Sequence, residues 1–133
     1  MEGRVCIVTG SGQGLGRAFA LHFASLGAVS VIAEINAANC QSVAAEIIEA
    51  GGKALAIETD VADSGSVRAM AERTLAEYGR IDVLVNNAAI LQSISRVPVD
   101  QISDEEWDKV IRVNVTGAFY CVRAVVPAMR EAG

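Results

Sequence analysis

The sequence predicts a doubly wound α/β fold in three layers, a parallel sheet with helices on both faces. Two observations carry this. Short aliphatic runs alternate four times with stretches of helical periodicity. The runs are apolar throughout rather than on alternate residues, which marks strands buried on both faces. Strands joined by helices of this length require right-handed crossovers, and the strand order expected is 3-2-1-4.

Each element follows in order. Residues 5–9, Val-Cys-Ile-Val-Thr, form the first strand, closed by glycines. Leu15, Phe19, His22, Phe23 and Leu26 then recur on one face of a helix, placing His22 inward as a packed histidine, and Gly27 ends the helix. The second strand is 29–33. Residues 38–50 form the second helix, with Val43 and Ile47 inward and Gly51-Gly52 after it. Residues 54–58 are the third strand. Val67, Met70, Ala71, Thr74, Leu75 and Tyr78 mark the third helix, opened by Asp63 or Ser64 and closed by Gly79. Residues 81–85 are the fourth strand, and 91–102, which include Pro98, read as a loop.

The last helix opens at Ser103, with Glu106 completing a capping box and Asp104 and Glu105 favouring the helix dipole. It is apolar nearly all round, from Trp107 through Ile111, Val113, Phe119, Val122 and Val126. That pattern belongs to a helix buried in a core or a subunit contact. Pro127 is expected to bend or end it. Trp107 and Tyr78 read as packing aromatics, and Cys6 and Cys121 as small core residues.

Composition narrows the function. A net charge of -5 argues against a nucleic-acid binder. The longest stretch free of Asp, Glu, Lys and Arg, residues 18–33, falls short of a membrane span. No signal peptide is evident. The three cysteines are widely and irregularly spaced, which fits free thiols in a reducing, cytoplasmic compartment and no metal site.

The loop Thr9-Gly10-Ser11-Gly12-Gln13-Gly14-Leu15-Gly16 joins the first strand to the first helix. A diphosphate held there needs a tight turn, close approach of backbone amides, and a free helix N-terminus. Gly10 supplies the turn, Gly14 the approach and Gly16 the helix–sheet packing. No Gly-Lys-Ser/Thr follows, so the loop is not that of a nucleoside-triphosphate site. Glu34, at the end of the second strand, is placed to accept from the adenosine ribose hydroxyls and to repel a 2′-phosphate. NAD is therefore preferred over NADP, with Arg17 the one nearby group able to reach a phosphate.

Together with three further segments, this loop resembles that of the short-chain dehydrogenase/reductase family. Asp60-Val61 after the third strand is similar to the pair that meets the adenine ring. Asn86-Asn87-Ala88-Ala89 resembles the family's Asn-Asn-Ala-Gly signature, with Ala89 in place of glycine. Asn114, in Val113-Asn114-Val115-Thr116-Gly117, matches the asparagine of the catalytic group. The resemblance implies a Rossmann-type domain over residues 1–133. Its cofactor contacts would be Gly10, Ser11, Gln13, Gly14, Leu15, Gly16, Glu34, Asp60, Val61, Asn87, Ala88 and Ala89. Asn114 would act catalytically, holding a local helix distortion and an ordered water. A simpler reading has Asn114 bonded within its own helix.

The implied activity is hydride transfer between a nicotinamide dinucleotide and a small alcohol or ketone. The family's catalytic serine and Tyr-(three residues)-Lys would lie beyond Gly133, and Tyr120 lacks that spacing. The chain is thus read as the N-terminal half of a longer enzyme, inactive by itself, whose parent is a homodimer or homotetramer. Two other readings are a non-catalytic dinucleotide-binding or regulatory module and, against the loop spacing, an S-adenosylmethionine methyltransferase.

Overall fold

The computed structural model describes residues 1–91 and 95–132; residues 92–94 of the expected loop, and Gly133, lie outside the described residues. Four parallel strands run β3-β2-β1-β4 across one sheet, the order expected. They are β1 (Val5–Thr9), β2 (Val29–Glu34), β3 (Lys53–Glu58) and β4 (Val83–Val85). Val5 pairs with Val29, and Cys6 with Val83, so β1 is central and both its faces are buried. The fourth strand is shorter than expected. Before it, Asp82 gives its N–H to Val5 O and takes the Val5 N–H on its carboxylate, a side chain standing in for a strand partner.

The helices are α1 (Gly14–Ser25), α2 (Ala37–Glu49), α3 (Ser64–Tyr78), α4 (Asp104–Ile111) and α5 (Gly117–Ala132). On one face of the sheet α1 and α2 bury Ala20, Cys40, Val43, Ala44 and Ile47 against Val8 and Ile32. On the other, α3 and α5 bury Val67, Met70, Cys121 and Val125 against Ile7, Val31 and Ile57. Burying a large aliphatic side chain contributes roughly 1.5–3 kcal/mol. Buried polar groups are partnered: the Ser30 hydroxyl donates to Ala20 O at 2.7 Å and the Cys40 thiol to Ile32 O at 3.1 Å, each tying helix to strand.

Asp63 caps α3 by accepting from Gly65 N–H, and Gly79 closes it at φ +71°. Ser103 caps α4, its hydroxyl accepting from Glu106 N–H at 3.2 Å. The capping box is only half formed, because the Glu106 carboxylate accepts from Ser95 N–H instead. A short 3₁₀ turn, Val99–Gln101, interrupts the expected loop.

Three expectations about helix faces fail. The stripe Leu15, Phe19, His22 and Leu26 is exposed, Leu15 at 73%. The close approach of α1 to the sheet is made by Gly16 and Ala20, and the large residues one position earlier lie about 100° round the helix. Only Phe23 of the predicted set packs against the core. Trp107 is likewise exposed, at 58%, while Tyr78 does pack as read. The long C-terminal helix buries one face only, through Gly117, Cys121 and Val125.

Pro127 does not end that helix, which runs on to Ala132. By length and composition the continuous stretch Asp104–Ala132 could cross a membrane, contrary to the sequence reading. In the structure its α5 part packs against α3 and β4 and covers the sheet there.

Candidate cofactor site

Strand order reverses between β1 and β4, so the chain leaves their carboxyl ends in opposite directions and opens a crevice between them. The glycine loop forms one wall. Gly10 adopts φ +63°, and a Cβ there would stand 2.8 Å from Ala88 Cα. A Cβ on Gly16 would sit 2.3 Å from Gly10 O, so this residue sets how closely α1 packs on the loop. Gly14, at φ +55°, has nothing within 4 Å of its Cβ position. The space a diphosphate would take is open there. The residue capping α1, Gln13, makes no side-chain cap bond, and no acid occupies the first turn. The leading amides of α1 are therefore left for a ligand.

Asn87 fixes the opposite wall. Its side-chain amide donates to Thr9 O at 3.0 Å and Gly10 O at 3.1 Å. The backbone N–H groups of Asn87 and Ala88 both donate to the Thr9 hydroxyl oxygen, which donates in turn to Val85 O. Asn87 thus bridges the glycine loop and the segment after β4, while Asn86 is exposed beside a small cavity of about 30 Å³.

The crevice has a volume of about 390 Å³ and brings together Gly10, Gln13, Glu34, Asp60, Val61, Asn87, Ala88 and Ala89 from the predicted set. No non-glycine residue among those described has positive φ, so Ala89 sits in a conformation where a methyl is tolerated. Four predicted residues, Ser11, Gly14, Leu15 and Gly16, are not among its lining; Gly14 lies exposed at the start of α1, next to Gln13. Ser11 is fully buried, and its hydroxyl donates to Val8 O at 2.7 Å, bracing the loop from beneath. Leu15 points to solvent, and Gly16 is buried in packing. Ile35, Thr59, Ile90 and Val113 line the crevice without having been predicted. Ile35 was detectable as an aliphatic residue just outside a strand end; the others carry no sequence signal beyond adjacency to Asp60, Ala89 and Asn114.

Glu34, 9% exposed, accepts Gly12 N–H at 2.9 Å and Asn36 N–H at 3.1 Å. Gly12 is a further missed residue, since a Cβ there would meet Glu34 Cγ at 2.6 Å. Asp60 accepts the Ala62 N–H at 2.9 Å and so shapes the turn in which Val61 sits. Arg17 is not among the residues lining the crevice and pairs with Glu46 of α2.

Asn114 lies inside a π-helical turn, Arg112–Thr116, between α4 and α5. Its Oδ1 accepts the Ile90 N–H at 2.9 Å and its Nδ2 donates to Ile90 O at 3.3 Å. These bonds overturn the reading in which its own helix satisfies it. The distortion implied by the family resemblance is present, and the side chain pins the segment after β4 to the long helix. The cysteines are inert by burial, which pushes the Cys6 and Cys121 thiols up to about 11. Among the described residues no group of three or more His, Cys, Asp or Glu could hold a metal.

A family model described as short chain dehydrogenase matches residues 4–133. An uncharacterized oxidoreductase of Thermotoga maritima is 43% identical over 135 residues, covering 100% of this chain and 51% of that relative. D-threitol dehydrogenase of Mycolicibacterium smegmatis is 36% identical over 133 residues, covering 100% and 50%. A metagenomic short-chain oxidoreductase solved in complex with NADP superposes with a TM-score of 0.92 at 37% identity, over 99% of this chain and 59% of that one. The chain spans about half the length of the curated relatives it matches.

Proposed function

This chain belongs to the short-chain dehydrogenase family, and from that premise we propose that it forms the cofactor-binding part of an NAD-dependent oxidoreductase acting on a small alcohol or ketone. The observation that carries the reading is the crevice lined by Gly10, Gln13, Glu34 and Asn87–Ala89, with the uncapped start of α1 and the open Gly14 next to Gln13. The dinucleotide, when bound, supplies hydride acceptance and donation.

The residues of the chain do the rest. Amides at Gly14 and the start of α1 hold the diphosphate. Glu34 accepts from the adenosine ribose, and Asp60 and Val61 border the adenine. Ala88, Ala89 and Ile90 border the nicotinamide end. Asn114, beside a cavity large enough for one water, orders that water for proton transfer. The solved NADP complex supports the nicotinamide class. Glu34 argues for NAD within it, because a carboxylate repels a 2′-phosphate and Arg17 is engaged by Glu46.

By this reading the 133 residues bind cofactor without turnover, since neither tyrosine is followed by lysine at the fourth position. Exposed Phe119, Val122 and Val115 favour a homodimer or homotetramer, and three free cysteines favour the cytoplasm.

Calorimetry with NADH and NADPH tests the reading. NADH binds more tightly, and the pair Glu34→Ser with Ile35→Arg shifts the preference toward NADPH by about tenfold or more. An unchanged ratio would show that Glu34 does not meet the ribose.

A further inference from the structure

We propose that the groove between α3 and α5 is a second anion site, taking a phosphate group free in solution or carried on a small molecule. The groove has a volume of about 370 Å³ and is lined by Ser64 and Arg68 from α3 and by Tyr120, Arg123 and Ala124 from α5. It shares no lining residue with the crevice above.

The chain carries a net charge of -5, yet two guanidinium groups border one groove from opposite walls. The ion pairs among the described residues are Arg4–Asp82, Arg17–Glu46 and Arg80–Asp82; neither Arg68 nor Arg123 is in one. Arg123 is also held in place. Its guanidinium carbon lies 4.9 Å from the centroid of Phe119 and 5.0 Å from that of Tyr120, which restrains the side chain while leaving its N–H edges for an acceptor.

The remaining donors are hydroxyls. The Tyr120 oxygen accepts from Arg112 at 3.4 Å, so its own proton is available to donate. Ser64 is the first residue of α3, at the positive end of that helix. Asp63, next to Ser64 in the chain, is engaged in capping α3 at Gly65 N–H.

Ligand class follows from the number and direction of donors. One guanidinium fork already satisfies both oxygens of a carboxylate. A guanidinium and a hydroxyl from each wall suit a group with three or more oxygens and two negative charges. A phosphate monoester or phosphate itself meets that description.

Amide NMR spectra of the 133-residue chain, titrated with inorganic phosphate and with glycerol 1-phosphate at constant ionic strength, test the proposal. Saturable shifts are expected at residues 64–68 and 120–124, persisting when NAD already fills the glycine loop. Tighter binding of the monoester identifies a phosphorylated small molecule, and equal binding identifies free phosphate. Arg68→Gln and Arg123→Gln each weaken the response about tenfold, and Arg123→Lys recovers part of it. Both side chains are exposed, so the melting temperature stays unchanged. Shifts confined to residues 10–16, shifts abolished by NAD, or shifts unaltered in the double glutamine variant would each overturn the site.

Discussion

At the amino-terminal end of the sheet Asp82 gathers hydrogen bonds from Arg80, Val5 and Arg4, and its side chain is only 4% exposed. At the carboxyl-terminal end of the same strands the opposite holds. There the leading amides of α1 have no side-chain cap, and Gly14 faces open space. Both ends are made by the same two strands, β1 and β4. One closes every polar group it can and holds the fold. The other leaves donors open, spending stability that only a ligand restores. The contrast shows where stability and function separate in this architecture, and it is open to direct attack.

Within the glycine loop the two tendencies meet one turn apart. Gly16→Val drives side-chain atoms into Gly10 O and the Asn87 amide, and destabilises the chain by about 3 kcal/mol or more in urea unfolding. Gly14→Ala, by contrast, costs about 1 kcal/mol for its positive φ, and shows its main effect in cofactor titration. Equal loss of stability in the two variants would erase the distinction between packing glycine and ligand glycine.

Asp82 probes the closed end. The Arg80 guanidinium, with Val5 N–H and Arg4, holds its carboxyl well below the usual carboxylate range. A carboxyl depressed in the folded state stabilises above its unfolded pKa of about 4, and that contribution fades as pH falls below this value. Asp82→Asn therefore costs about 2 kcal/mol at neutral pH, and its stability profile flattens in acid relative to the parent chain. Parallel profiles for the two proteins would show that Asp82 does not hold this end.

An effect as small as that of Gly14→Ala on stability is expected at Asn114. Removing its side chain leaves Ile90 N–H and O without partners and costs about 1 kcal/mol. Amide exchange should quicken at Ile90 and across Arg112–Thr116 while β1 and β2 stay protected. A global rather than local loss of protection would mean the π turn belongs to the closed, structural half of the molecule.

Much of the fold was legible because its signals are local. Aliphatic runs marked β1 to β3 within a residue, and Asp63, Ser103 and Gly79 marked helix ends by their capping chemistry. The crevice was legible for a similar reason: Gly10, Glu34, Asp60 and Asn87 each lie at or just past the carboxyl end of a strand, and a parallel sheet must bring such positions together. The face of α1 was not legible. Periodicity shows that Leu15, Phe19, His22 and Leu26 share a stripe, but not that the sheet takes the adjoining stripe of Gly16 and Ala20.

The sequence by itself determined the strand order, the crossover helices and the glycine loop with its acidic partner. These depend on hydrophobic period, glycine and chain direction, all written locally. Only tertiary structure decided that the Ser11 hydroxyl braces the loop on Val8 O, that Gly12 carries Glu34, that Glu46 engages Arg17, and that Asn114 clasps Ile90. Each is a contact across 3 to 29 positions of chain whose partner is selected by backbone geometry, and no residue pattern announces it.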